Sequence, residues 1–191
     1  MNTPAHLIFG MAAFAKADAP KVTLAALAGA MLPDLSLYLM AGVSLFVLGI
    51  SPQVVFDQLY FSEAWQLVFK IDNSFVLWGL GLAVALWLRR AWAIALTGAA
   101  LLHIGLDFPL HHDDGRAHFW PLSNWIFESP VSYWDRGHHA GIIAPIEMVL
   151  YGICVVILWR RLREIWERVI IAALGVMQLA PGIIWMFVFS G

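Results

Sequence analysis

The sequence predicts an all-α fold, a polytopic transmembrane bundle of about five to six helices with one further helix at the membrane interface. Of the 191 residues, 61% are hydrophobic and only 13% are charged, whereas soluble domains are roughly 45–50% apolar. The mean hydropathy is +0.77. The apolar residues form long runs that short basic or polar connections separate. We therefore interpret residues 1–191 as a single integral membrane domain.

The first two apolar segments are predicted as helices over 3–16 and 22–48. Thr3-Pro4 is typical of an N-cap followed by proline at the first helical position. The first helix is marginal in length for crossing a bilayer. Pro33-Asp34 interrupts the second helix, and a proline inside a helix kinks it and frees a carbonyl group.

The rest of the chain contains an interfacial segment, four more spans and one long loop. Residues 51–70 mix aromatic with polar side chains, which favours a helix lying in the interface. The further spans are predicted over 73–88, 92–110, 141–159 and 169–190. A polar, aromatic and histidine-rich loop occupies 111–139.

Basic residues predict how the helices are oriented. They fall in alternate connections between the helices, which is the pattern of cytoplasmic loops. The basic residues are Lys16 and Lys21, Arg89 and Arg90, and the group at 160–168. The histidine-rich loop is then extracytoplasmic, which in a bacterial inner membrane is the periplasm. The expected partner is the lipid bilayer.

Charge and cysteine content exclude two other classes of protein. The net charge is −2 and the basic residues are few and scattered, so the chain has no electrostatic footprint for nucleic acid. Cys154 is the only cysteine and lies in an apolar run, which excludes a disulfide framework and a cysteine-based zinc site. The oligomeric state does not follow from the sequence.

A metal-ligand pattern stands at the end of the segment 92–110. His103, Asp107 and His111 are four residues apart, and positions i, i+4 and i+8 share one face of a helix. Ionisable side chains within a membrane are costly and usually mark functional sites. His111 or its neighbour His112 extends the ligand set, unless Pro109 ends the helix first and breaks the register.

Three further ionisable residues are predicted at the same membrane depth as His103. His6, Asp34 and Glu147 each lie about 10–13 residues from a basic connection, as His103 does, which places all four roughly 15–20 Å above the inner boundary. Imidazole with carboxylate suits zinc first, and also manganese or ferrous iron. For His6 or Glu147 alone, a hydrogen bond to a neighbouring helix is the alternative role.

Four short motifs in this order carry a family resemblance. They are Thr3-Pro4-Ala5-His6 with Gly10, Gly29 with Leu32-Pro33-Asp34, His103-x-x-x-Asp107, and Gly115 with Phe119-Trp120-Pro121. The set resembles the LexA-regulated, membrane-bound, metal-dependent hydrolases, small bacterial inner-membrane proteins. That family is similar to zinc-dependent phospholipase C and the zinc nucleases, whose helical cores also use a His-x-x-x-Asp pair. The resemblance implies that His6, Asp34, His103 and Asp107 are metal ligands.

The chain departs from the family at one position. Where the family tends to carry Thr-His-Ser, this chain has Asp72-Asn73-Ser74, so that Asn73 replaces an expected histidine. Either Asp72 or the extra histidines after Asp107 compensate for the loss, or the site holds a single metal or is inactive.

Two functions are compatible with these observations. The first is a metal-dependent hydrolase of phosphoesters or lipid-linked phosphates, with its site open to the outer face. Its metal would activate water, Asp107 or Glu147 would accept the proton, and Arg116 would bind substrate phosphate unless it is only a solvated surface arginine. The second is a non-catalytic membrane metal-binding or transporter-accessory protein.

Overall fold

The computed structural model describes the backbone of residues 1–189 and the side chains of residues 1–179. This part of the chain is all-helical, which confirms the all-α part of the prediction. The helices are α1 Thr3–Phe14, α2 Pro20–Gly42, α3 Pro52–Val54, α4 Glu63–Asp72, α5 Phe75–Trp87, α6 Ala91–Asp107, α7 Ala140–Arg161 and α8 Ile165–Phe189. Wider π-helical turns follow α2 at Val43–Val47 and α3 at Val55–Leu59, and a 3-10 turn spans Arg136–His138.

Three stretches of the described chain are long and apolar enough to cross a membrane, and this indicates a membrane protein. They are Pro20–Val47, Glu63–Trp87 and Ala140–Arg161. Helices α1 and α6 are apolar but have only 12 and 17 residues, about 18 and 25 Å at 1.5 Å per residue, which is less than a hydrocarbon core of about 30 Å. The number of five to six spans stays a prediction, and the last predicted span, 169–190, ends outside the described residues.

Short polar residues and prolines set where the helices begin. Ser62 and Ser74 occupy the N-cap positions of α4 and α5, and their side chains accept hydrogen bonds from Trp65 N at 3.4 Å and Leu77 N at 3.1 Å. These bonds satisfy backbone donors that have no partner inside the helix. Two predictions are corrected here. The segment 51–70 does not form one helix, because a new helix, α4, begins after the N-cap Ser62. Thr3 is the first residue of α1 and is not its N-cap.

Helix α1 lies at the centre of the bundle and packs against α2, α6, α7 and α8. Glycines allow the helices to approach closely, as is common in membrane bundles. A Cβ atom on Gly10 would lie 2.6 Å from Ala30 Cβ, and a Cβ atom on Gly29 would overlap the backbone of Leu96. The backbones of α2 and α6 are therefore in direct contact, and this contact brings their polar residues together.

The loop between α6 and α7 folds back over the end of α6. Ser129 N donates to His111 O at 3.0 Å, and Ser129 Oγ donates to Pro109 O at 2.5 Å. The ring of Phe108 stacks on Phe127 at 4.9 Å between centroids and meets His118 edge-on at 5.5 Å. The loop is thus held against the end of α6.

Candidate metal centre

Three buried side chains from two helices form a group that could bind a metal ion. His6 from α1, and His103 and Asp107 from α6, each offer a ligand atom, and these atoms all lie within 4.8 Å of one another. His6 Nε2 is 2.9 Å from Asp107 Oδ1, and His103 Nε2 is 3.4 Å from Asp107 Oδ2. The two imidazole rings stack with centroids 3.6 Å apart. The structure therefore brings together three of the predicted ligands.

The orientation of His103 fits a metal ligand. Its Nδ1 lies 2.7 Å from the carbonyl oxygen of Ala30, which can only accept, so Nδ1 carries the proton and donates. The other nitrogen, Nε2, is buried and has no hydrogen-bond partner among the described residues. A buried polar atom without a partner is costly. Ligating histidines are commonly held in this way, with one ring nitrogen on a carbonyl and the other on the metal.

Asp34 from α2 stands beside this group. Its Oδ1 lies 3.6 Å from His103 Nε2, and its Oδ2 accepts a hydrogen bond from Thr3 Oγ1 at 2.5 Å. Thr3 Oγ1 also lies 2.8 Å from the hydroxyl of Tyr38. The sequence interpretation missed this role of Thr3, because only the contact between α1 and α2 places its hydroxyl against Asp34.

Asp107 has further neighbours at the outer end of the group. Its Oδ1 is 2.5 Å from the amino nitrogen of Met1 and 3.5 Å from His111 Nε2. Because α6 ends at Asp107, His111 is not in the predicted helical register. The turn after α6 returns His111 to Asp107 instead, so the predicted proximity holds while the predicted reason for it is wrong.

His111 also contacts Asp114, a residue that the sequence interpretation did not select for the site. His111 Nδ1 lies 2.8 Å from Asp114 Oδ1. Burial by itself would raise the pKa of the Asp114 carboxyl, but the contact with His111 and the charge of that ring hold this pKa below its usual range. Asp114 is therefore an anion that adds negative charge above the metal group.

A polar cavity of about 150 Å³ opens above the group. Three carboxylates line it, those of Asp34, Asp107 and Asp114, together with the guanidinium of Arg116. Its other polar lining comes from Asn2, Thr3, Tyr38, Tyr60, Asn73, His111, His118 and Tyr133. Two cationic groups stand beside these carboxylates, the guanidinium of Arg116 and the ammonium of Met1, which contacts Asp107.

Arg116 is held by aromatic rings at the cavity wall. Its guanidinium carbon lies 4.2 Å from the ring centroid of Phe69 and 4.8 Å from that of Tyr60. Cation–π contacts of this kind hold the charged group over the ring faces. Arg116 is therefore not the freely solvated surface arginine that was the alternative from the sequence. Its planar guanidinium can pair with phosphate oxygens.

Asn73 has a structural role, and a histidine stands next to it. Its side-chain Nδ2 donates to Pro33 O at 3.2 Å and to Phe69 O at 3.1 Å, while its main-chain oxygen accepts from His118 Nδ1 at 2.8 Å. His118 is buried, and burial lowers the pKa of its imidazole. Of the possible compensating residues for the missing histidine, His118 and His111 line the polar cavity.

Two predicted site residues lie outside this group. Glu147 Oε1 accepts a hydrogen bond from Gln178 Nε2 at 3.0 Å and lies 3.4 Å from the backbone nitrogen of Asn2. His112 Nδ1 contacts Ser129 O at 2.7 Å, and its ring stacks on His138 at 3.6 Å. Neither Glu147 nor His112 lines the polar cavity.

The group of His6, His103 and Asp107 could hold a cation, and Arg116 at the wall of the polar cavity, which Asp107 also lines, could hold an anion. Comparison of the chain with protein-family models, with curated proteins and with solved structures finds no match. The function is therefore inferred from the residues of the cavity and their geometry.

Proposed function

We propose that this protein is a membrane-embedded, metal-dependent hydrolase of phosphoesters, with lipid-linked phosphates as its preferred substrates. The observation that carries the proposal is the buried Nε2 of His103, which has no hydrogen-bond partner among the described residues. This atom lies 3.4 Å from Asp107 and 3.6 Å from Asp34, and such a position suits a cation shared by imidazole and carboxylate. Arg116 lines the polar cavity together with Asp34 and Asp107 and supplies a group that pairs with phosphate.

The residues that would hold the metal are His6, His103 and Asp107, with Asp34 beside them and His111 nearest at the outer end. Nitrogen and carboxylate donors without thiolate suit zinc, and manganese or iron are the alternatives. When bound, such an ion supplies an activated water and a positive charge for the phosphoryl oxygen.

The protein side chains have separate tasks in this reaction. Asp107 is the carboxylate in contact with both histidines and can accept a proton from the attacking water. Arg116 would orient the substrate phosphate, since the rings of Phe69 and Tyr60 restrict its guanidinium. Glu147, the other candidate base, does not line the cavity, and we assign it no catalytic role.

The proposal includes the membrane placement and the family. We place the chain in a bacterial inner membrane as a bundle of about five to six spans, with the cavity and the histidine-rich loop on the periplasmic side. The alternating basic connections support this orientation. The proposed family is that of the LexA-regulated, membrane-bound, metal-dependent hydrolases, and the support is that residues of three of its motifs, His6, Asp34 and the His103/Asp107 pair, meet at one group.

Metal content is the first test. Elemental analysis of the detergent-purified protein would be compared with the variant His103→Ala/Asp107→Ala. The matched control, His138→Ala/Asp113→Ala, removes the same two side-chain types outside the metal group. We expect the wild type and the control to retain the metal and the first variant to lose it. Equal metal content in the wild type, the variant and the control would contradict a metal site at this group.

Turnover is the second test, and it separates the two candidate functions. A panel of phosphoesters and phospholipids would be assayed with zinc, manganese and iron, and we expect metal-dependent hydrolysis that His103→Ala/Asp107→Ala abolishes. Retained metal without turnover on any substrate would instead favour a non-catalytic metal-binding protein. Asn73 at the position of an expected histidine is the observation that favours this second function.

A further inference from the structure

A second cavity lies beside the metal centre, between α6 and α7. Its volume is about 390 Å³ and its exposed lining is apolar. Both helices pack against α1. Phe9 of α1 and Met1, which precedes α1, also line the groove. We propose that this groove holds one acyl chain of a membrane glycerophospholipid, whose phosphate then lies in the polar cavity. The substrate class in this inference rests on the proposed hydrolase function.

The α6 side of the groove is next to the metal-binding face of the same helix. Leu102 and Leu106 of α6 line the groove, as does Leu110 in the turn after this helix. Leu102 and Leu106 immediately precede His103 and Asp107. Neighbouring positions on a helix are rotated by about 100° from one another. The groove and the metal group therefore run side by side along α6.

The α7 side of the groove follows one face of that helix. Ile143, Ile146, Leu150 and Cys154 line it, with spacings of three and four residues that keep them on a single face. From Ile143 to Cys154 the helix rises about 16 Å. The groove is thus elongated along the helix axes, which is the direction that lipid chains take when such helices cross a membrane.

The upper end of the groove meets the polar cavity at Met1. Met1 lines both cavities, and its amino nitrogen contacts Asp107. A hydrocarbon chain in the groove would therefore have its polar end beside Asp107. Arg116 lines the polar cavity above the metal group, where it could bind the phosphate of the same molecule. This continuity is the reason for assigning the groove to the substrate lipid.

Among the described residues, the lining of the groove exposes no polar surface that would hold water. Glu147 is among its lining residues, but its carboxylate is directed to Asn2 and Gln178, so the side chain adds only apolar surface to the groove. Apolar cavities of this kind stay dry. The outer surface of α7 is also apolar, with Ile142 and Val149 each 62% exposed. The groove would therefore be filled by hydrocarbon chains from the surrounding lipid and not by water.

Photocrosslinking would test the occupant. The detergent-purified full chain would be incubated with phosphatidic acid that carries a diazirine midway along one acyl chain, irradiated and mapped by mass spectrometry. We expect crosslinks severalfold more frequent at Leu106, Leu150 and Cys154 than at Leu80 and Val84 of α5, which are exposed and apolar but lie outside the groove. Equal labelling of the two surfaces would overturn the proposal.

Competitors and variants make this test specific. Unlabelled phosphatidic acid should remove the groove crosslinks, and glycerol phosphate should not. Ile146→Trp, which would fill the groove, should lower them severalfold, while Leu80→Trp on α5 should leave them unchanged. Displacement by an isoprenyl phosphate in preference to phosphatidic acid would overturn the assignment to an acyl chain.

The groove and the hydrolase function can fail separately. Groove crosslinks without any metal-dependent hydrolysis would support the acyl-chain site and contradict the proposed function. Hydrolysis of water-soluble phosphoesters without groove crosslinks would support the function and overturn the acyl-chain site.

Discussion

His6 Nε2 lies 2.9 Å from Asp107 Oδ1, although 101 positions separate the two residues in the chain. The contact joins α1 to the end of α6 and closes a buried group to which His103 also belongs. Both histidines are almost fully buried, each about 1% exposed. Burying ionisable groups is costly unless a partner offsets the cost, and a metal ion is the partner that we propose.

Zinc should stabilise the folded protein through Asp107. At a free zinc concentration of about 100 times Kd, the free energy of unfolding should rise by about 2.7 kcal/mol. Asp107→Asn should lose most of this gain, because the amide carries no charge to attract the cation. Thermal unfolding in detergent, with zinc or with a chelator, measures the effect, and Asp113→Asn is the exposed control. An unchanged zinc effect in Asp107→Asn would contradict the ligand role.

Gly29→Ala should strongly destabilise the bundle. The new Cβ would overlap the backbone of Leu96, and a backbone cannot move aside as a flexible side chain can. Overpacking typically costs about 1–3 kcal/mol, and we expect the upper end or more. The control is Gly105→Ala on α6, where a Cβ meets nothing within 4 Å and the helix propensity should improve by up to about 1 kcal/mol. Thermal unfolding of both variants in one detergent measures the difference in stability. Equal unfolding midpoints would contradict the close packing of Gly29 against Leu96.

Glu147→Gln should lower stability without changing the metal content. Glu147 is 4% exposed, and its carboxylate accepts a hydrogen bond from Gln178. Exchange for an amide weakens this bond and should cost about 1–3 kcal/mol. Thermal unfolding, elemental analysis and turnover would be measured together. If turnover falls sharply while stability and metal content stay normal, Glu147 is the catalytic base that the sequence suggested.

His118 should make stability depend on pH. Burial lowers its pKa from 6.5, so the unfolded chain binds a proton that the folded protein resists. The contribution of His118 is therefore complete above about pH 6.5 and is lost as the pH falls towards its folded-state pKa. His118→Asn keeps an N–H donor for the Asn73 carbonyl and removes the titrating ring. The wild type should lose more stability than this variant between about pH 7 and 5, and equal losses would show that His118 does not contribute.

Labelling should place the histidine-rich loop outside the cytoplasm. In a Cys154→Ser background, Ser123→Cys should react with a membrane-impermeant maleimide added to intact cells. Arg163→Cys, in the connection between α7 and α8, should react only after the cells are opened. Both positions are exposed on the protein. Labelling of Ser123→Cys only from the cytoplasmic side would reverse the proposed topology.

Much of the fold could be predicted because helix formation depends on nearby residues. The apolar runs, the prolines and the capping serines act within a few positions, and all-helical structure follows from them. The His103 and Asp107 pair was equally accessible, since a spacing of four places both on one helix face. The break at Ser62 was missed, because its capping bond depends on the backbone entering the helix in an extended conformation.

The sequence by itself determined that the chain is helical and apolar and which helix carries the His-x-x-x-Asp pair. It also predicted which residues share one membrane depth. The depth of a residue in the membrane does not give the rotation of its helix about the helix axis. Only tertiary packing decides that rotation. Glu147 was expected at the depth of His103, yet it faces α8 and Asn2, whereas His6 faces Asp107. The turn after α6 likewise placed His111 at the site, and the folded loop placed His118 there. Contacts between segments that are distant in the chain decide which way these side chains face, and the periodicity of the local sequence does not predict such contacts.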